Sequence, residues 1–217
     1  MIQKETILIV DAGHGGIDPV TGLYTTSETI GKKTKHTNGK PYHGNGWFYE
    51  GKSNREFALE FMSQAKESGF LCFPVYHPWI DTSLNERPKT ANEIQNKYGT
   101  KALFLSFHSN AVAVGTAPQT SAEGVCSFVY KLGSPTSKLA EKITLNMQSV
   151  FDAYGSKRRS QLIHDNSLTI TSASNMPSIL FEIGFFDNPN NADLLMKSDF
   201  RKNVVKSIVD ILKTDVI

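Results

Sequence analysis

The chain has little that would tie it to a membrane, to nucleic acid or to an oxidising compartment. None of its 217 residues fall in an apolar run approaching the roughly 20 residues of a membrane span, so membrane insertion is not expected. Its 23 Lys and Arg against 21 Asp and Glu leave a net charge of +2, too small a surplus to argue for a polyanionic partner such as nucleic acid. The two cysteines, Cys72 and Cys126, each sit in an apolar run with the look of a core strand. Buried free thiols are expected there, not a disulfide or a metal site. No apolar leader core precedes the first strand, so no signal peptide is expected, and synthesis is placed in the cytoplasm. Internal repeats, linkers and low-complexity tails are also lacking. A single domain spanning 1–217 is the expectation, and its 39% apolar content is ample for one core.

What is present begins with Ile7-Leu-Ile-Val10, an apolar and mostly β-branched run that predicts a buried strand. It leads straight into Asp11 and His14, with glycines at 13, 15 and 16 that permit a sharp turn and close backbone approach. Residues 17–49 form a long segment without apolar periodicity, which holds Tyr24, His36, Tyr42, His43, Trp47 and Tyr49. Loops of that length in compact domains usually serve function, and an ordered flap beside a site is expected. A helix follows from Glu50, carrying Phe57, Leu59, Phe61, Met62 and Ala65 at helical spacing, with Gly69 to end it. Strands are predicted at 70–76, 102–107, 124–130 and 178–181. A helix capped by Asp81 or Thr82 should run to Tyr98 and stop at Gly99, with Pro88 tolerable only near its first turn or at a kink. Thr136–Tyr154 predicts another helix, and Asn190 or Asn191 should cap the last one. Residues 155–177 follow no clear pattern. Strands alternating with helices imply an α/β fold, a three-layer sandwich whose mainly parallel central sheet is covered by helices on both faces.

Three strand ends carry a polar residue: His14, His108 and Glu182. A parallel sheet gathers the carboxyl ends of its strands on one edge, so residues far apart in sequence can meet there. Two histidines and a carboxylate form a catalytic zinc set with a position left for water. The chemistry then calls for a second carboxylate to carry the proton. Glu50, at the mouth of a helix, is the best ligand candidate, and Glu28 and Asp11 compete with it. Burial of Glu182 behind four apolar residues would raise its pKa toward a value useful for proton transfer. His36, His43, His77 and His164 fit no strand-end pattern and are expected in loops or at the surface, with His43 and His164 able to line the cleft.

Four stretches taken together resemble the motifs of zinc-dependent N-acetylmuramoyl-L-alanine amidases. They are Asp11-Ala-Gly-His14-Gly-Gly, Glu50 before a helix containing Asn54, Ser106-Phe-His108-Ser-Asn110-Ala, and Phe181-Glu182-Ile-Gly-Phe-Phe-Asp-Asn188. Ser83-Leu-Asn-Glu-Arg87-Pro-Lys-Thr-Ala91-Asn92 is similar to that family's second helix. The resemblance implies one zinc per chain held by His14, Glu50 and His108, with Glu182 as general acid/base. It implies cleavage of the amide between N-acetylmuramic acid and L-alanine in bacterial peptidoglycan. Asn110, Trp47 and His43 are the candidate substrate contacts. With no separate cell-wall-binding domain and no leader expected, a bacteriophage endolysin is expected, stored in the host cytoplasm, acting on the wall after release, and monomeric. The 17–49 segment is longer than expected in the family, and the stretch before Met176 departs from it. Rival readings are another zinc peptidase, such as a carboxypeptidase using Arg158 or Arg159 as a carboxylate clamp, and a catalytically silent wall-binding module.

Overall fold

The computed structural model describes residues 6–27, 31–99, 101–113, 120–156 and 161–215. The first strand, β1 (Thr6–Ala12), is buried at every residue. Alternate side chains leave its two faces, and both faces are covered by helices. The strand therefore reads as an unbroken apolar run without polar alternation. Leu8 and Val10 join one core, and Ile7 and Ile9 the other.

A short ribbon follows, β2 (Lys33–Lys35) antiparallel to β3 (Trp47–Tyr49), and β3 runs directly into α1 (Glu50–Glu67). Next come β4 (Leu71–Pro74), α2 (Glu86–Tyr98), β5 (Lys101–Asn110), β6 (Val125–Val129), α3 (Pro135–Ala153) and β7 (Gln161–His164). The chain closes with α4 (Thr169–Ser172), β8 (Ser178–Phe185), α5 (Pro189–Leu195) and α6 (Ser198–Asp215). The sheet order is β4-β1-β5-β8-β6-β7. Its first four strands are mutually parallel, β6 is antiparallel to β8, and β7 is parallel to β6. Phe57 and Phe61 of α1, Ile143 and Met147 of α3, and Val204 and Ile208 of α6 pack on the face that shows Val10, Leu105 and Phe181. Ala91 of α2 and Ile170 of α4 cover the opposite face, against Ile9, Phe104 and Leu180. This is the expected three-layer α/β arrangement, and none of the described helices is long and apolar enough to cross a membrane.

Local chemistry sets the helix ends. Ser134 caps α3 by accepting the Ser137 N–H, with Pro135 in the first turn where no N–H is needed. Gly99 ends α2 in the left-handed region, at φ 58°. Pro88 falls in the first turn of α2, because that helix opens at Glu86 and not at residue 82 or 83. Asp81 and Thr82 are not its caps: Thr82 Oγ1 accepts the His77 N–H, and Asp81 pairs with Arg87. The asparagine cap near the end of the chain is Asn188, whose side chain accepts from Asn190 and Asn191. It serves α5, while the final helix, α6, begins later. The stretch 161–172, which shows no pattern in sequence, contributes an edge strand and one helical turn. Cys126 is buried and Cys72 half-buried, and both are free thiols.

The long segment after β1 is packed down where it is described. Phe48 stacks on Phe186 with ring centroids 5.9 Å apart, and His36 Nε2–H donates to the Phe186 carbonyl at 2.9 Å. Tyr42 donates to Asp193 of α5 at 2.9 Å, and Lys40 pairs with the same carboxylate. His36 lies in a loop, as expected, but is buried there, because it serves as an anchor between flap and core.

Candidate active site

His14, Glu50 and His108 come from three elements that the sheet brings together. Each offers a ligand atom, and these atoms lie within 4.8 Å of one another. Glu50 Oε1 stands 3.3 Å from His14 Nε2 and 3.2 Å from His108 Nδ1, and the two imidazoles meet edge to face at 5.1 Å. His14 adopts φ 62°, an uncommon conformation for a non-glycine residue, which turns it off the end of β1. His108 lies inside β5, and Glu182 lies opposite it in β8, paired in register. Both strands therefore run past these residues instead of ending at them.

The glycines let the three elements approach. A Cβ on Gly13 would fall 2.0 Å from His108 Cε1. A Cβ on Gly51 would fall 1.9 Å from the Gly15 carbonyl oxygen, so the first turn of α1 rests directly on the backbone of the His14 loop. Glu50 is the first residue of that helix and is only 1% exposed. Asn54, one turn on, donates to Glu50 Oε1 at 3.3 Å and to the Gly13 carbonyl at 3.2 Å. The Ser109 N–H also reaches Glu50 Oε1, at 3.4 Å.

Two arginines brace the loop: Arg87, from the stretch similar to the second helix, and Arg55 of α1. Arg87 Nη1 donates to Asp11 Oδ1 and to the Ala12 carbonyl, both at 2.6 Å, and Nη2 reaches the His14 carbonyl at 3.4 Å. Ser106 donates to the other Asp11 oxygen at 2.6 Å. Asp11 is thereby committed to Arg87 and Ser106 and sits outside the cluster of ligand atoms. Arg55 donates to the carbonyls of Gly51, His77 and Ile80. Its only sequence signal is a charged residue on an otherwise buried helix face.

Electrostatics separate the two glutamates. Burial alone would raise the Glu50 pKa, but His14 and His108 overcome it and hold the carboxyl well below the ordinary range. Glu182 has no such partner, and its Oε2 is buried without a hydrogen bond. Burial first, and then the negative charge of Glu50, push its pKa well above the usual carboxylate value. Burial lowers the His108 pKa, which favours the neutral imidazole that a metal ligand must be. His14 Nε2 and Glu50 Oε2 are also buried without hydrogen-bond partners. Two imidazoles and a carboxylate aimed at one point, with such orphan atoms, fit a divalent metal of the zinc type.

The other sequence candidates are placed as follows. Trp47, half-buried on β3, stacks on Tyr49 at 6.5 Å with Lys33 Nζ 5.0 Å from its ring centre. His43 is turned inward: its Nδ1 accepts the Tyr49 N–H at 2.9 Å, its ring packs on Phe48, and burial depresses its pKa to about 3. Asn110 ends β5, and its Oδ1 accepts the Ala111 N–H at 2.8 Å. His77 is a loop brace that accepts from Trp79 and Ile80. His164 is exposed on the edge strand β7. It pairs with Val129 at the end of β6, which runs opposite to β8, so it lies at the far edge of the sheet from the cluster and does not line it. Glu28, Arg158 and Arg159 lie outside the described residues.

Residues 8–214 match the family model described as N-acetylmuramoyl-L-alanine amidase. The uncharacterized protein YqiI of Bacillus subtilis (strain 168) is 26% identical over 209 residues, 96% of this chain and 84% of that one. The germination-specific N-acetylmuramoyl-L-alanine amidase of the same organism is 27% identical over 125 residues, 58% of this chain and 47% of the other. In fold, the chain is similar to the crystal structure of N-acetylmuramoyl-L-alanine amidase from Clostridium difficile 630. That match has a TM-score of 0.70 at 19% identity and covers 99% of this chain and 97% of the other.

Proposed function

The chain belongs to the N-acetylmuramoyl-L-alanine amidase family, and from that premise we propose that it is a zinc-dependent enzyme that hydrolyses the bond between N-acetylmuramic acid and L-alanine in peptidoglycan. The observation that carries the reading is the meeting of His14, Glu50 and His108 beside Glu182, which is half-buried with its Oε2 enclosed and unpartnered. His14, Glu50 and His108 would hold the ion. Zinc, when bound, supplies Lewis acidity, making water acidic enough to attack at neutral pH and polarising the amide carbonyl.

The chain's own residues supply the rest. Asn54 and the Ser109 N–H keep Glu50 Oε1 turned toward the two imidazoles, an outer layer of hydrogen bonds that fixes ligand orientation. Glu182 binds a proton more tightly than an ordinary glutamate. That suits it to take the proton that water gives up and to pass it to the departing alanine nitrogen, a poor leaving group until protonated. Its fixed place in β8, opposite His108, means that little reorganisation accompanies the transfer.

The test follows products. Purified peptidoglycan should yield new L-alanine amino termini and no new reducing sugar ends. Glu182→Gln should retain one zinc per chain and lose at least about 10²-fold in turnover. Full activity after exhaustive chelation, or after replacement of His14 or His108, would refute the metal assignment. We further propose wall lysis as the role, in the manner of a bacteriophage endolysin held in the host cytoplasm until release. Expression inside a host should then be harmless until the membrane is permeabilised. Lysis without permeabilisation would overturn that placement.

A further inference from the structure

The mechanism leaves one charged side chain at the site unused. Lys32 stands just before β2, and its ammonium lies 3.9 Å from Glu50 Oε2. That distance is within reach of an ion pair but too long for a hydrogen bond, so the ammonium keeps its donors while already facing the cluster. Among the described residues, no other Lys or Arg comes within ion-pair distance of Glu50. The Lys32 side chain is 39% exposed, so it can meet a ligand in the cleft.

Its backbone is held in an unusual way. Lys32 adopts φ 52°, a region that non-glycine residues seldom enter without cause. Its carbonyl accepts the Glu50 N–H at 3.0 Å and the Tyr24 hydroxyl at 3.2 Å. The lysine is therefore tied to the first residue of α1, the residue that also presents the Glu50 carboxylate. Uncommon backbone conformations persist where surrounding structure enforces them, and they gather at functional sites. The positive charge also acts on Glu182, where it opposes the effects of burial and of Glu50.

Charge balance shows what such a cation can do. In the hydrolysis read above, the oxygen of water bonds to the amide carbon and the carbon–nitrogen bond then breaks. The proton from water ends on the amine. Between those steps Glu182 holds the proton and the amide oxygen carries negative charge, close to the Glu50 carboxylate, which would repel it. We propose that Lys32 is a catalytic residue whose ammonium donates to the amide oxygen as that charge develops, transferring no proton. The inference rests on the amidase reading of the site and adds a second source of positive charge at the reacting oxygen.

The variant K32M removes the charge and leaves length and backbone conformation alone. The expected loss in kcat is roughly 10²-fold, the scale of removing one donor from a developing oxyanion, with KM within about threefold. Affinity for a phosphinate analogue of muramoyl-L-alanine, a tetrahedral anion, should fall by a similar factor in calorimetry. Zinc affinity, measured by chelator competition, should be unchanged or tighter, since a neighbouring cation opposes uptake of another. A merely supporting role predicts weaker zinc binding instead. K32R should recover a large part of kcat and of phosphinate affinity. If K32M lowers the melting temperature, K32N carries the same test, because asparagine tolerates positive φ. Unchanged kcat and phosphinate affinity, or losses that track zinc loss, overturn the assignment while leaving the amidase reading intact. A wild type that binds zinc but releases no L-alanine termini overturns that reading and this inference together.

Discussion

Replacing Gly13 with alanine probes the closest approach in the site without touching any proposed ligand. The added Cβ would lie 2.0 Å from His108 Cε1 and 2.4 Å from both ring nitrogens. Unbonded carbons settle at about 3.5–4.0 Å, so the imidazole would have to retreat by roughly 1.5 Å or more. Metal ligands tolerate only about ±0.2 Å, so His108 would be lost from the set. The fold should survive. Overpacking of this kind costs typically 1–3 kcal/mol against a total stability of about 5–15 kcal/mol. In a chain of this size that corresponds to a fall of roughly 2–12 °C in melting temperature. The assay pairs a thermal melt with metal content per chain after dialysis against a weak chelator. Gly16→Ala is the control, since its Cβ would come no closer than 3.1 Å to any atom, at Arg55 Cδ and Trp79 Cα, with Arg55 Nε at 3.2 Å. It should keep its zinc. A Gly13→Ala protein with one tightly held zinc per chain would refute the placement of His108, and global unfolding would show that the cost has been misjudged.

Two further outcomes follow from charge burial. Glu182 has a folded-state pKa raised well above 4.5, so it favours the folded state at low pH and loses that contribution as pH rises through the raised pKa. The stability difference between metal-free wild type and metal-free Glu182→Gln, from urea melts across pH, should shift against the wild type as pH climbs from about 4.5. A pH-independent difference would mean that Glu182 ionises normally. Arg87→Met leaves Asp11, which is fully buried, without its ion-pair partner and strips the Ala12 carbonyl of its donor. Breaking a buried pair costs about 3–5 kcal/mol, so urea denaturation should reveal a loss of that size, and a loss under about 1 kcal/mol would contradict the role given to the pair.

The sequence alone determined the layers and the edge at which the chemistry collects. Ile7–Val10 announces a strand buried on both faces because apolar side chains alternate to two covered sides. His14, His108 and Glu182 follow or fall within such runs, and parallel strands place those positions on a common edge. Glycine at 13, 15, 16 and 51 could be read only as permissive. That Gly13 makes room for a ring 95 residues away along the chain, and Gly51 for the Gly15 carbonyl, depends on contacts between elements. The same holds for Asp11. By type and position it competed with Glu50 as a ligand, and its commitment to Arg87 and Ser106 came from partners that spacing cannot locate. His36 and His43 read as loop residues because their segment lacks periodicity, whereas Phe186, Phe48 and the Tyr49 backbone bury and occupy them. Lys32 is the extreme case. In sequence it is one of a pair of lysines after a glycine, and only the folding of the flap onto the first turn of α1 brings its charge to Glu50.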